Sequence, residues 1–246
     1  MAMTGYWSLN LFKVIRSILQ RYLEPASQYI YGFADLRGLL NKKFEDFNYG
    51  ISIGRKLNPE IIEGICNGPT IEYFNHYRLV NSELAELTGK ISTAFSEAGI
   101  EALPVEPTIS AGDEGYNEEY LRTLTVSLSH KMVATRAGLG WIGKTDLFIS
   151  REFGPRLRLV SILLREDPGI SSRPVNRSKC GNCNICVEKC PANAANGLPW
   201  NVNTSREEFF DPFKCREKCS ELAITRLKVN ERICGLCVYA CPIGQR

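Results

Sequence analysis

Four thiols in one short run constrain this chain more than any other feature: Cys180, Cys183, Cys186 and Cys190, at spacings of two, two and three residues, closed by Pro191. That spacing lets a single stretch of backbone wrap an iron-sulfur cube, and it is a 4Fe-4S signature. A second, shorter run, Cys234, Cys237 and Cys241 followed by Pro242, lies near the C-terminal end. Two runs predict two cubes.

In the bacterial two-cluster pattern, the fourth cysteine of each run ligates the other run's cluster. That rule groups Cys180, Cys183 and Cys186 with Cys241, and Cys190 with Cys234 and Cys237. The second group lacks one thiolate. Cys215 and Cys219 are the nearby candidates, and Cys215 is favoured. Zinc also uses paired C-x2-C units, but it has no use for a third thiol two residues further on or for a run closed by Cys-Pro. Disulfides need an oxidising compartment, and no signal peptide is read ahead of the cysteines. Cys66, far upstream, reads as a buried apolar side chain.

At 246 residues the chain has room for one large domain and a small one. The expected division is residues 1–175, with their own core, and residues 176–246, carrying the cysteines. The net charge of +3 is too small to argue for a nucleic-acid partner. A membrane span needs ~20 apolar residues, and Lys13, Arg16 and Arg21 interrupt the one candidate. The expectation is a soluble, cytoplasmic protein with no membrane partner.

Along the chain, Ser8 can cap a helix whose apolar positions Leu11, Phe12, Ile15, Ile18, Leu19 and Tyr22 recur at three and four, ending before Pro25. Residues 29–34 and 49–53 read as short strands. Gly32, Gly50 and Gly54 fall within or beside them, each read first as a bulge or turn and second as a close backbone approach. Pro69 suits a first helical position, and Ile71, Phe74, Tyr77, Val80, Leu84, Leu87, Ile91 and Phe95 follow at helical spacing up to Gly99. His76 falls beside that stripe and reads as a boundary histidine. Residues 103–105 read as a strand, 110–116 as a polar loop, and 157–164 as a buried strand.

The segment from Ser129 to Thr145 matches two motifs at once. Gly138 to Thr145 spells the phosphate-binding G-x4-G-K-T, and Gly138, Gly140 and Gly143 spell the dinucleotide G-x-G-x-x-G. Both need a strand before and a helix after, so that phosphate meets a helix N-terminus. Here the order is reversed: Ser129 caps a short helix, Gly138 suits the left-handed position that ends it, and residues 147–149 read as extended. Two readings of the loop remain, a close backbone approach to a large flat ligand and a tight connection with Trp141 in the core.

The segment Ala137 to Lys144, followed by the two cysteine runs, resembles the epoxyqueuosine reductase family, cobalamin-dependent iron-sulfur enzymes related to reductive dehalogenases. The resemblance implies an α+β chain: a nitroreductase-like α/β domain holding base-off cobalamin, then a ferredoxin-like module with two 4Fe-4S clusters feeding electrons to cobalt. It places Gly138, Leu139, Gly140, Trp141, Gly143 and Lys144 at the corrin, with Gly154 and Arg156 in a second glycine-containing cofactor motif. On this reading a large side chain at Gly140 blocks the ring and leaves the cubes intact. His130, Lys131 and Lys144, then Tyr116 and Tyr120, are the candidate proton donors. The family's proton-donating aspartate falls on Leu124, which cannot donate. Longer members continue into a helical repeat region that helps hold tRNA, so reduction of a tRNA base is not expected of a chain ending at Arg246. The implied partners are an external low-potential electron donor and a small-molecule or corrinoid-protein partner. The alternative is an electron-transfer protein that reduces a partner's corrinoid or metal centre. The reversed motif context predicts that ATP, GTP and NAD are not bound specifically. Equilibrium dialysis showing submillimolar ATP binding that is lost in Lys144→Ala would contradict this.

Overall fold

The structure, a computed structural model, describes residues 3–109, 111–169 and 173–245, with side chains from Leu11 onward. It divides into two compact units: Met1–Arg55, Asn81–Leu139 and Leu159–Pro174 form the first, and Lys56–Val80, Gly140–Arg158 and Val175–Arg246 the second. A single cut at 175 does not describe this division. Two earlier stretches join the cysteine region because their apolar side chains pack within it, Ile65 and Tyr73 against the backbone at Gly235, and Trp141 and Ile149 against Val175.

The first unit begins with helix α1 (Met3–Tyr22), which buries Ile15 and Leu19 completely. It starts five residues before the expected cap at Ser8. Nothing between Met3 and Trp7 stops a helix, and the lone Gly5 costs only about 1 kcal/mol. Strands β1 (Tyr29–Asp35) and β2 (Tyr49–Lys56) then pair antiparallel, from Tyr29 opposite Arg55 to Asp35 opposite Tyr49. The four-stranded sheet has the order β1, β2, then the strand Leu157–Leu164 (β6), then the strand Ala102–Val105 (β3). Strand β6 (Leu157–Leu164) is interior and buried on both faces, as its unbroken apolar run requires. Edge strand β3 (Ala102–Val105) pairs antiparallel with it. Pro104, which has no N–H to give, is tolerated at that edge.

The longest helix is α3 (Ile71–Glu97, 27 residues). It starts at Thr70, whose hydroxyl accepts the Tyr73 N–H at 3.2 Å, rather than at Pro69, and it buries Val80, Leu84, Ile91 and Phe95 fully. The short helix α4 (Glu118–Thr123) ends at Leu124 in the left-handed conformation (φ 51°). Ser129 caps α5 (His130–Arg136) by accepting the Met132 N–H. A Cβ at Gly32 would lie 3.0 Å from Leu139 and 3.2 Å from Ala137; one at Gly50 would lie 2.8 Å from Leu36 and 3.3 Å from Val133. Both glycines therefore mark close approach to the sheet, the second of their two readings, and Val133 joins Ala34, Leu36, Phe44, Leu128 and Leu163 in one core cluster. Ser110 lies outside the described residues; 111–116 form turns.

The second unit opens with α2 (Pro59–Glu63). Ile62 and Ile65 turn inward and Cys66 is exposed, which corrects the expectation of a buried thiol: the i, i+3 pair of isoleucines takes the inner face. His76 is a boundary residue, its Nε2 accepting the Asn58 N–H at 2.9 Å. Gly140–Ile142, read as part of the loop, forms strand β4, which pairs in a hairpin with β5 (Phe148–Ser150), expected as extended at 147–149. The cysteine region adds α6 (Ile185–Glu188), α7 (Arg206–Phe209), α8 (Pro212–Leu222) and α9 (Leu236–Ala240). Asp211 accepts the N–H groups of Phe213 and Lys214, and Pro212 takes the first helical position of α8. Among the described residues no helix is long and apolar enough to cross a membrane.

Ile53→Ala and Ile162→Ala each remove a side chain that is fully buried in the first unit. Each should cost about 2–5 kcal/mol, read as a lowered urea midpoint by circular dichroism. A loss under about 0.5 kcal/mol, the range of surface substitutions, would show that the sheet core is not packed as described.

Candidate metal centre

Each cysteine run places a thiol on a short helix, Cys186 on α6 and Cys237 on α9, and the two helices pack together. The packing brings the ends of the runs across each other. Cys180, Cys183, Cys186 and Cys241 line one cavity, and Cys237, expected in the other group, lines it with them. Cys237 also stands near the remaining thiols. Cys190, Cys215, Cys186 and Cys234 all act on its charge, and burial pushes its thiol well above the ordinary range.

The second group contains one thiol too many. Cys215 and Cys219 lie one turn apart on α8 with sulfurs 3.9 Å from each other, and Cys219 also hydrogen-bonds Cys234. These two bonds push the Cys219 thiol far up, while its hydrogen bond brings Cys234 down to about 7 and lowers Cys215. Cys219 is thus in sulfur contact with both Cys215 and Cys234. A zinc ion would draw several ligands to within about 2.3 Å of one point. No three His, Cys, Asp or Glu side chains converge in that way among the described residues.

The first cavity is walled by the β4–β5 hairpin. Trp141 is 7% exposed and packs with Ile149, Val175, Cys180 and Cys241; its Nε1–H donates to Cys180 Sγ at 3.4 Å. Thr145 hydrogen-bonds the Cys186 thiol, which burial otherwise pushes up. The Lys144 ammonium is 4% exposed and donates to Asn184 Oδ1 at 2.7 Å, between the two cysteines Cys183 and Cys186. Arg156, also 4% exposed, donates to three backbone carbonyls of the second run: Tyr239 at 2.7 Å, Cys241 at 2.9 Å and Ile243 at 2.8 Å.

The glycines of the loop are accounted for by the protein's own chain. Gly138 has φ 76°, and a Cβ there would lie 2.6 Å from Arg173 O. A Cβ at Gly140 would run into Ile149 O across the hairpin, one at Gly143 would press on the Ile149 side chain, and one at Gly154 would strike Ile243 O. Gly138 and Leu139 remain half-exposed; Gly140 to Thr145 are buried. The two motif strings therefore end in a hairpin turn, closed by Gly143 N–H to Leu147 O at 2.8 Å.

The candidate proton donors are dispersed. His130 Nε2 meets Glu106 O at 2.8 Å and Nδ1 meets Ser161 Oγ at 2.9 Å. A carbonyl only accepts, so Nε2 carries the proton and Nδ1 takes the serine hydrogen. Lys131 is half-buried beside it in the chain, and Tyr116 and Tyr120 pack ring to ring at 5.2 Å. Sequence reasoning missed Thr145, Asn184 and the carbonyls at Arg156. The only sequence signal for Thr145 and Lys144 was the G-K-T string, which pointed to phosphate.

Residues 173–195 match the family described as 4Fe-4S binding domain. The chain is 33% identical to the epoxyqueuosine reductase of Synechocystis sp. over 127 residues, 50% of this chain and 42% of that protein. It is 32% identical to that of Listeria monocytogenes over 128 residues, 49% and 31%. The matches thus span less than half the length of these relatives. Among solved structures, a catabolic reductive dehalogenase superposes with a TM-score of 0.61 at 17% identity, over 88% of this chain and 30% of that one. An epoxyqueuosine reductase from Streptococcus thermophilus gives 0.54 at 18%, over 94% and 65%. Fold and cysteine set together define the class, an iron-sulfur protein of mixed helix and sheet with a ferredoxin-like 4Fe-4S motif. Within that class the chain is similar, over about half of its length, to epoxyqueuosine reductases, the family that the loop and the two runs resemble.

Because the Gly140 Cβ position is occupied by the partner strand, Gly140→Val should open the hairpin that carries Trp141 and Thr145. The outcome expected from the structure is loss of 4Fe-4S absorbance near the first run, replacing the earlier expectation of intact cubes. Unchanged iron content and visible absorption in that variant would contradict the hairpin's role.

Proposed function

We propose that this protein is an iron-sulfur reductase passing single electrons through two 4Fe-4S clusters to a corrinoid acceptor, its substrate being open. The observation that carries the reading is the shared cavity, in which Cys237 and Cys241 of one run line the same space as Cys180, Cys183 and Cys186 of the other. The donor set fits a cube: four half-buried thiols, with one N–H and one O–H directed at ligand sulfurs. Cys190, Cys215, Cys234 and Cys237 would hold the second cube, with Cys219 as a hydrogen-bonding thiol beside it. Such clusters supply one-electron transfer at potentials set by charge, hydrogen bonds to sulfur and exposure.

The nitroreductase-like domain and cobalamin rest on the resemblance. The residues fit a corrin only in part: Gly138 and Leu139 keep exposed surface, whereas Gly140, Trp141, Gly143, Lys144, Gly154 and Arg156 are turned to the protein's own contacts. Bound at Gly138 and Leu139, a corrinoid would supply a low-valent cobalt. His130, its Nε2 proton held by a carbonyl, is poorly placed to give that proton up. These engaged side chains favour the second reading, an electron-transfer protein that reduces a partner's corrinoid or metal centre.

Anaerobic reconstitution should give about eight irons per chain, the content of two 4Fe-4S cubes; about four would sink the two-cube reading. Cys215→Ser should lose one cube while Cys219→Ser keeps both, and the reverse pattern would reassign the eighth ligand. Retention of cobalamin after desalting, with a base-off absorption change, supports the reductase; no retention in protein carrying both cubes supports electron transfer.

A further inference from the structure

The two cysteine groups sit in different electrostatic surroundings. Around Cys180, Cys183, Cys186 and Cys241, two neutral donors point at ligand sulfurs, Trp141 Nε1–H and the Thr145 hydroxyl. Two buried cations stand behind them. Lys144 rests on the neutral Asn184, and Arg156 rests on the Tyr239, Cys241 and Ile243 carbonyls. Around the other group, the Asp211 carboxylate caps the helix that carries Cys215, with the exposed Lys214 ammonium 3.7 Å from it. The sulfur contact there, Cys215 to Cys219 at 3.9 Å, is that of a weak S–H donor.

One-electron reduction adds a negative charge to a cube without requiring a proton. Donors on the ligand sulfurs and buried positive charge favour the reduced form, and neighbouring carboxylates oppose it. The effect is larger where water is excluded. We infer that the cube completed by Cys241 has the higher potential of the two, that Trp141 and Thr145 help set it, and that an electron entering the protein comes to rest there. This rests on the two-cube reading above. Trp141, Thr145 and Lys144 are then positioning residues for electron transfer, and the hairpin motif has an electrostatic use that needs no phosphate.

The test is a potentiometric titration of the full chain, reconstituted anaerobically and reduced with dithionite, followed by electron paramagnetic resonance. Wild-type protein should show two components. Thr145→Val, and separately Trp141→Phe, should shift only the higher-potential one, each by about tenfold toward the oxidised form at a fixed potential. That is about 59 mV for one electron. Lys144→Met should move the same component in the same direction, and serves where Trp141→Phe does not fold. A shift of the lower-potential component, or no shift in any variant whose iron content stays at about eight, the content of two cubes, overturns the inference and leaves the two-cube reading standing. A single component with about four irons per chain overturns both.

Discussion

The return of Cys241 to the first cysteine run is the contact on which the second unit depends. It needs the chain beyond α9 to turn back and stay, and the structure provides two devices. Arg156 gathers the carbonyls of Tyr239, Cys241 and Ile243 on one guanidinium. The glycines at 154 and 244 let two backbones meet where any side chain would collide. A buried guanidinium bound to carbonyls leaves no polar group unpaired, which avoids the cost of one to three kcal/mol per orphaned group. Truncating Arg156 would therefore free three carbonyls as well as a charge.

The β4–β5 hairpin acts through the same logic at the other wall. Its glycines make room for strand pairing, and its large or polar residues, Trp141, Lys144 and Thr145, all reach the 180–186 segment. One short loop thus serves packing and electrostatics together. Helix α5 before it belongs to the first unit, where His130 ties Ser161 of β6 to the Glu106 carbonyl. The chemistry that residue types alone suggested at His130 and Lys144 is, in both cases, already engaged in holding structure.

How much could be read in advance follows from the range of each interaction. The buried strand 157–164, the long helix and the Ser129 cap are local patterns, and each was legible to within a few residues. The meeting of the two cysteine runs was legible too, because their spacing is that of the two-cluster pattern, and both runs line one cavity. Three features were not legible. The hairpin at 140–150 is too short to alternate recognisably, and its glycines answer to partners such as Arg173 and Ile149 rather than to local conformation. The interleaved units arise from packing between distant stretches. The exposure of Cys66 depends on which face of one helical turn Ile62 and Ile65 claim.

The shared cavity also imposes an order in time. Cys186 and Cys241 are far apart in the chain, and translation delivers about 5–20 residues each second. For several seconds, therefore, the first three thiols exist without a fourth, and any iron placed on them has one corner open to water and oxygen. The seat for Cys241 is complete only when Ile243 has reached Arg156 and Gly154. On the two-cube reading, the first three thiols therefore gain their fourth partner only after the segment that carries Cys241 has folded back onto them.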